Sequence, residues 1–215
     1  MKIGVFDSGI GGEAVARDLR HHFPHASIIT VSDRAHLPYG SKSPEQIVTL
    51  TDTALQPLLL ARCDVIVIAC NTATTVALPI LRERYPAQRF IGIEPMIKTA
   101  AQCTMNGVVA VYATPATLQS RRYQQLKKQF ATSITVYEPD CSNWAMMIED
   151  NAINESQIRT VIESTINARA DVIVLGCTHY HWIKALIASL AGDSMTILEP
   201  TDAIARRITQ LTAES

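Results

Sequence analysis

The sequence predicts an α/β fold made of two similar parallel-sheet domains, related by pseudo-twofold symmetry, with the active site between them. Three observations predict it. Apolar runs of strand length alternate with helix-like segments along all 215 residues, the pattern of parallel strands covered by helices on both faces. The chain also repeats itself: 61–70 reads ARCDVIVIAC and 168–177 reads ARADVIVLGC, with seven of ten positions identical at an offset of 107. Two further echoes follow in the same order, Ile93-Glu94-Pro95 with Leu198-Glu199-Pro200, and IGVFDS at 3–8 with VVAVYAT at 108–114. One match could be the likeness of any two buried Val/Ile strands. Three in order indicate a duplicated unit, roughly 1–95 and 106–200.

The elements follow in turn. Strands are expected at 3–6, 27–31, 64–69 and 90–93, and again at 107–112, 134–137, 171–175 and 195–198. Helices are expected at 12–22, 44–61 and 72–84, then at 117–130, 155–168 and 182–190. Ser43 before Pro44 and Asn154 before Glu155 are suitable N-caps for two of them. The last helix, 201–212, is expected to return to the first half. That gives domains of 1–96 plus 201–215 and of 97–200. No Pro-, Gly- or Ser-rich linker and no low-complexity tract interrupts the pattern.

Composition narrows the function. Nineteen basic and twenty acidic residues leave a net charge of −1, so no basic footprint points to nucleic acid or to an anionic membrane. No apolar stretch approaches transmembrane length, and the N-terminal stretch lacks the features of a signal peptide. The five cysteines, Cys63, Cys70, Cys103, Cys141 and Cys177, are odd in number and form no Cys-x-x-Cys pair. They are expected to be free thiols in a reducing, cytoplasmic setting. A homodimer is compatible with the sequence, which does not fix the oligomeric state.

Parallel α/β sheets gather ligands at the carboxyl ends of their strands, and the chemistry-bearing residues fall there. Strand 3–6 delivers Asp7-Ser8-Gly9, strand 64–69 delivers Cys70-Asn71-Thr72, and strand 171–175 delivers Gly176-Cys177-Thr178-His179. A single such cysteine would be read as a small buried hydrophobe. Two at repeat-equivalent strand-to-helix junctions, each followed by polar residues, read as functional thiols, because a helix start lowers a thiol pKa. Two opposed thiols suit racemisation, in which a proton leaves one face of a carbon and another arrives on the opposite face. Asp7 could serve the Cys70 side and His179 the Cys177 side. Ser8, Asn71, Thr72 and Thr178 would supply neutral donors to a small carboxylate-bearing substrate.

With these motifs the chain resembles the glutamate racemases of the cofactor-independent aspartate/glutamate racemase superfamily. The resemblance spans nearly the whole chain and rests on FDSGIGG at 6–12, PYGSKS at 38–43, ACNTAT at 69–74, ATPAT at 113–117 and GCTHY at 176–180. It implies that Cys70 is the base acting on D-glutamate and Cys177 the base acting on L-glutamate, assisted by Asp7, His179 and Glu149. It also implies that Asp7, Ser8, Tyr39, Gly40, Asn71, Thr72, Thr117, Thr178 and His179 hold the substrate. No pyridoxal phosphate or metal is expected, and the D-glutamate would serve peptidoglycan. The chain departs from the family pattern at Arg34, His36, Ala113, Asn143, Trp144 and His181, positions that surround the expected pocket and leave its thiols in place.

Other readings stay open. A relative acting on aspartate or another acid would share the thiol pair, and a catalytically weak homologue kept for binding would share the whole pattern. Cys177, His179 and His181 alternate, so on an extended strand they would share a face and could hold zinc; the repeat partners are Cys70, Thr72 and Thr74, and no fourth ligand is evident. Gly9-x-Gly11-Gly12 falls short of a dinucleotide fingerprint. Cys63 and Cys103 are expected to be packing residues.

Overall fold

A computed structural model describes residues 1–213. The chain forms two compact units, one of residues 1–94 together with the chain from Pro200 onward, the other of Pro95–Glu199.

The first unit opens with β1 (Lys2–Asp7), α1 (Gly11–His22) and β2 (Ser27–Ser32). Next come α2 (Pro44–Leu60), β3 (Val65–Ile68), α3 (Asn71–Arg84) and β4 (Phe90–Gly92). Its four strands are all parallel, in the order β2-β1-β3-β4. The inner strands are apolar from Ile3 to Phe6 and from Val65 to Ile68 because both faces are covered. On one face Phe6, Ile66 and Ile68 pack with Leu55 and Leu58 of α2 and with Leu78 and Leu81 of α3.

The second unit comprises α4 (Ile97–Cys103), β5 (Val108–Ala113), α5 (Pro115–Gln119), α6 (Arg121–Phe130), β6 (Thr135–Tyr137) and α7 (Trp144–Glu149). It continues with α8 (Glu155–Asn167), β7 (Val172–Gly176), α9 (Lys184–Ala191) and β8 (Thr196–Leu198). Its strand order, β6-β5-β7-β8, repeats that of the first sheet, again all parallel. The register repeats as well: Phe6 lies opposite Ile68, and Tyr112 opposite Leu175. Val109, Val111, Val172 and Val174 pack with Ile97 and Ala100 of α4 and with Tyr123 and Leu126 of α6. The final helix, α10 (Thr201–Ala213), belongs to the first unit. There its Ile204 and Ile208 join Val15 and Leu19 of α1 on the second face of the first sheet, against Ile3, Val5, Val65 and Val67.

The expected caps form. Ser43 accepts from the Gln46 backbone N–H while Gln46 reaches back to the Ser43 N–H, a complete capping box ahead of Pro44. Asn154 accepts from the Gln157 N–H at the start of α8.

Four expectations are corrected. The single helix at 117–130 is two helices, because Ser120 is extended (φ −63°, ψ 143°) and its hydroxyl both donates to the Thr117 carbonyl and accepts from the Tyr123 N–H. The helix expected from Trp182 begins at Lys184, after a 3-10 segment at Thr178–Ile183. Short helices α4 and α7 were not expected from the sequence; both are too brief to show a full amphipathic period. Cys103 is exposed at the end of α4, so it is not a packing residue, whereas Cys63 is buried. Among the described residues no helix is long and apolar enough to cross a membrane.

Candidate active site

In the first unit the candidate residues converge on the carboxyl ends of β1 and β3. Cys70 is buried and is the N-cap of α3, where its sulfur lies 3.4 Å from the Ala73 backbone N–H. The Ser8 hydroxyl donates to the same sulfur at 3.3 Å. Two donors and the positive end of a helix favour thiolate over thiol. Asp7 closes β1, buried, and accepts from the Gly9 N–H at 2.8 Å. Gly12 has to be glycine for this: a Cβ there would lie 2.5 Å from the Asp7 Cβ. Ser8, expected from the sequence to contact substrate, turns its hydroxyl to the thiol here.

Asn71 and Thr72 open α3 and are buried. Asn71 is only 3% exposed, yet its Oδ1 and Nδ2 have no hydrogen-bond partner among the described residues. A buried unsatisfied amide is costly, so this side chain is set to receive a polar group from a ligand. It stands at a helix N-terminus, which itself favours carboxylates.

Tyr39 sits in a 3-10 turn with the half-buried Gly40 and donates to Asp33 Oδ2 at 2.7 Å. The other Asp33 oxygen lies 2.7 Å from His36 Nδ1. Burial pushes the Tyr39 phenol far above its ordinary range, with the bond to Asp33, its charge and that of Cys70 adding to the shift. Tyr39 therefore remains a proton donor at any physiological pH. Asp33 was missed as its partner, because an aspartate six residues upstream in a loop carries no periodic signal.

In the second unit Cys177 lies between β7 and the 3-10 segment, which it caps, buried and with extended backbone. His179 Nδ1 lies 3.8 Å from its sulfur, and His179 Nε2 lies 2.6 Å from Glu149 Oε1. The His179 and Glu149 side chains are both almost fully buried. An ionised carboxylate only accepts, so Nε2 carries a proton toward Glu149 and Nδ1 is left facing the thiol. The histidine can thus take or return the thiol proton while Glu149 stabilises the imidazolium. Thr178 is buried next to Cys177. Thr117 is fully buried in α5, and its hydroxyl accepts from that of Thr114 at 3.1 Å.

Cys177, His179 and His181 lie on the 3-10 segment rather than on a strand, so the alternation that would have placed them on one face for zinc is lost. His181 Nδ1 lies 3.5 Å from Glu199 Oε2. No group of three or more His, Cys, Asp or Glu side chains among the described residues is placed to hold a metal. A cavity of about 360 Å³ in this unit is lined by Ala113, Pro115, Leu118, Glu138, Asp140 and Cys141, among others. None of the candidate residues lines it, and its two carboxylates are the wrong charge for an acidic substrate.

Comparison with known proteins gives a consistent result. Residues 13–208 match the family model described as Asp/Glu/Hydantoin racemase. A glutamate racemase from Pseudomonas syringae pv. tomato is 37% identical over 217 residues, covering 99% of this chain and 79% of the relative. The structure of Escherichia coli glutamate racemase in complex with L-glutamate and the activator UDP-MurNAc-ala superposes with a TM-score of 0.89 at 30% identity, covering 98% of this chain and 81% of that one. Glutamate racemase from Francisella tularensis in complex with D-glutamate gives 0.81 at 31% identity, over 99% and 81% of the two chains.

Proposed function

The chain belongs to the Asp/Glu/Hydantoin racemase family, and from that premise we propose that it interconverts L- and D-glutamate by a two-base mechanism without a cofactor. The observation that carries the reading is that just beyond an inner strand of each sheet lies a buried thiol with its own partners: the donors Ser8 and the Ala73 N–H for Cys70, His179 and Glu149 for Cys177.

In the L-to-D direction, the Cys177 thiolate takes the α-proton of L-glutamate. The C–H bond breaks, an S–H bond forms, and the electron pair remains on the substrate. The Cys70 thiol then delivers its proton to the opposite face of the α-carbon and becomes a thiolate. The reverse reaction exchanges the two roles. One proton enters and one leaves, so the substrate's composition is unchanged. His179, held by Glu149, manages the Cys177 proton. Ser8 and the first turn of α3 stabilise the Cys70 thiolate, and Asp7 assists on that side. Asn71, Thr72, Thr117, Thr178, Tyr39 and Gly40 hold the carboxylates and ammonium.

Glutamate is favoured over aspartate because the relatives at this level of identity are named glutamate racemases and two of the similar structures hold its enantiomers. We place the enzyme in the cytosol, where its free thiols stay reduced. It would supply D-glutamate for peptidoglycan, acting on a free amino acid and not on nucleic acid or a membrane, and a homodimer is the assembly to test by light scattering.

The deciding experiment incubates purified, chelator-treated protein with each enantiomer of glutamate and of aspartate in deuterated water, and follows the circular dichroism signal and α-deuterium. Both glutamate enantiomers should converge on the racemate with deuterium at the α-carbon, and aspartate should lag far behind. Faster aspartate turnover would move the substrate assignment, and no turnover of either acid would overturn it.

A further inference from the structure

Glu149 reaches His179 from α7, a helix of six residues whose N-cap, Asn143, makes no side-chain cap bond. So short a helix does not hold itself in place; packing must position it. Trp144, its first residue, does the packing. The indole is 1% exposed and stands edge-on to two buried tyrosines: to Tyr112 of β5 at a centroid distance of 5.4 Å and 84°, and to Tyr180 of the 3-10 segment at 5.3 Å and 67°. Such edge-to-face pairs are directional. The Trp144 backbone N–H and the Tyr180 hydroxyl both donate to the Cys141 carbonyl, at 3.1 Å and 2.8 Å. The Tyr112 hydroxyl is tied to Thr165 Oγ1 at 2.7 Å.

Two segments therefore meet twice. At one end Trp144 joins Tyr180; at the other Glu149 joins His179, the residue before Tyr180. We propose that Trp144 is a positioning residue for the Cys177 base: its ring, wedged between Tyr112 and Tyr180, fixes α7 against the 3-10 segment and so sets the Glu149–His179 bond and the reach of His179 to the thiol. The role in turnover rests on the two-base reading, but the placement of His179 at Cys177 can be read without turnover.

The probe is iodoacetamide, with the rate at each cysteine followed by mass spectrometry from pH 5 to 10, using the full chain. Cys103, exposed, reports the reagent, and Cys141, whose thiol burial pushes up, serves as a slow internal reference. Trp144→Leu keeps apolar bulk but removes the edge-on ring. Losing a well-placed imidazole should raise the pH midpoint of Cys177 alkylation by about one unit and leave that of Cys70 unchanged. The kcat for glutamate should fall by about 10²-fold with KM little changed, and Trp144→Phe should restore most of both. Tyr180→Phe removes only the bond to the Cys141 carbonyl; it should shift Cys177 in the same direction by less, and it decides the matter if Trp144→Leu does not fold. Wild-type Cys177 midpoints in the folded variants, or equal shifts at Cys70 and Cys177, would overturn the proposal. A normal Cys177→Ala racemase would instead overturn the two-base reading and leave the alkylation result standing.

Discussion

In the first unit Cys70 follows β3 and caps a 14-residue α-helix; in the second, Cys177 follows β7 and caps a six-residue 3-10 segment. Strand order and register are the same up to that point. Beyond it, the residue 107 places after Thr72 is His179, and the one 107 places after Thr74 is His181. The long helix offers its dipole, the Ala73 N–H and the Ser8 hydroxyl to a thiolate. The 3-10 segment is too short to offer a comparable dipole, and there a buried imidazole and carboxylate take over. One repeated strand end thus prepares a thiol in two ways, by a helix N-terminus with hydrogen-bond donors and by a buried imidazole–carboxylate pair.

The hardest test of this comparison removes each sulfur in turn. Cys70→Ala and Cys177→Ala should each lower racemisation by more than about 10³-fold, since each deletes a proton carrier outright. If the halves divide the work as proposed, the variants also separate. Cys70→Ala should still exchange the α-proton of L-glutamate for solvent deuterium on the face served by Cys177, with retention, and should leave D-glutamate unlabelled. Cys177→Ala should show the converse. Proton NMR of the α-position checks both, and exchange of both enantiomers by either variant would break the division.

A smaller effect distinguishes the supports. Glu149→Gln removes the negative charge that stabilises the His179 imidazolium, so the histidine takes the Cys177 proton less readily. Activity near neutral pH should drop by about 10²-fold and recover part of the loss as the pH rises. Ser8→Ala removes one of the two donors on the Cys70 sulfur; a loss of about tenfold, smaller than that of Glu149→Gln, is expected. Profiles of kcat/KM against pH for the two variants read the contrast directly. A Ser8→Ala loss as large as that of Glu149→Gln, or a pH-neutral Glu149→Gln, would erase it.

Much of this was legible in the sequence, and for identifiable reasons. Buried parallel strands must be apolar on both faces, so Val65–Ile68 and Val172–Gly176 could be found and matched to each other. Side chains at their ends were then placed without knowing the fold, which is why Cys70, Asn71, Cys177 and His179 could be named. The partners that arrive from loops and short helices carried no such signal. Ser120 breaks a helix that periodicity alone would continue, because its hydroxyl can serve both helix ends. The two roles of the Cys141 carbonyl belong to the backbone and have no side-chain signature. The 3-10 conformation at Thr178–Ile183 cancelled the alternation that had suggested a metal face, since six residues are too few to reveal a period of three rather than two.

The mildest comparison lies in the helices that precede the two thiol strands. Helix α2 starts with a full capping box, Ser43 with Gln46, and with Pro44 in its first turn. Helix α8 starts with the bond from the Gln157 N–H to Asn154. Both caps sit at the surface, far along the chain from the cysteines, so Ser43→Ala and Asn154→Ala should leave racemisation unchanged and cost only stability. Each should lose about 1 kcal/mol, the ordinary value of an N-cap side chain. Ser43→Ala should lose slightly more, because the Ser43 hydroxyl both accepts from the Gln46 N–H and donates to Glu45, and both bonds go. Urea unfolding followed by far-ultraviolet circular dichroism measures both. If the two units unfold as separate cooperative blocks, Ser43→Ala lowers the midpoint of one transition and Asn154→Ala that of the other. If they unfold as one, both variants shift the same midpoint by nearly equal amounts, and the similarity between the halves extends from topology to thermodynamics.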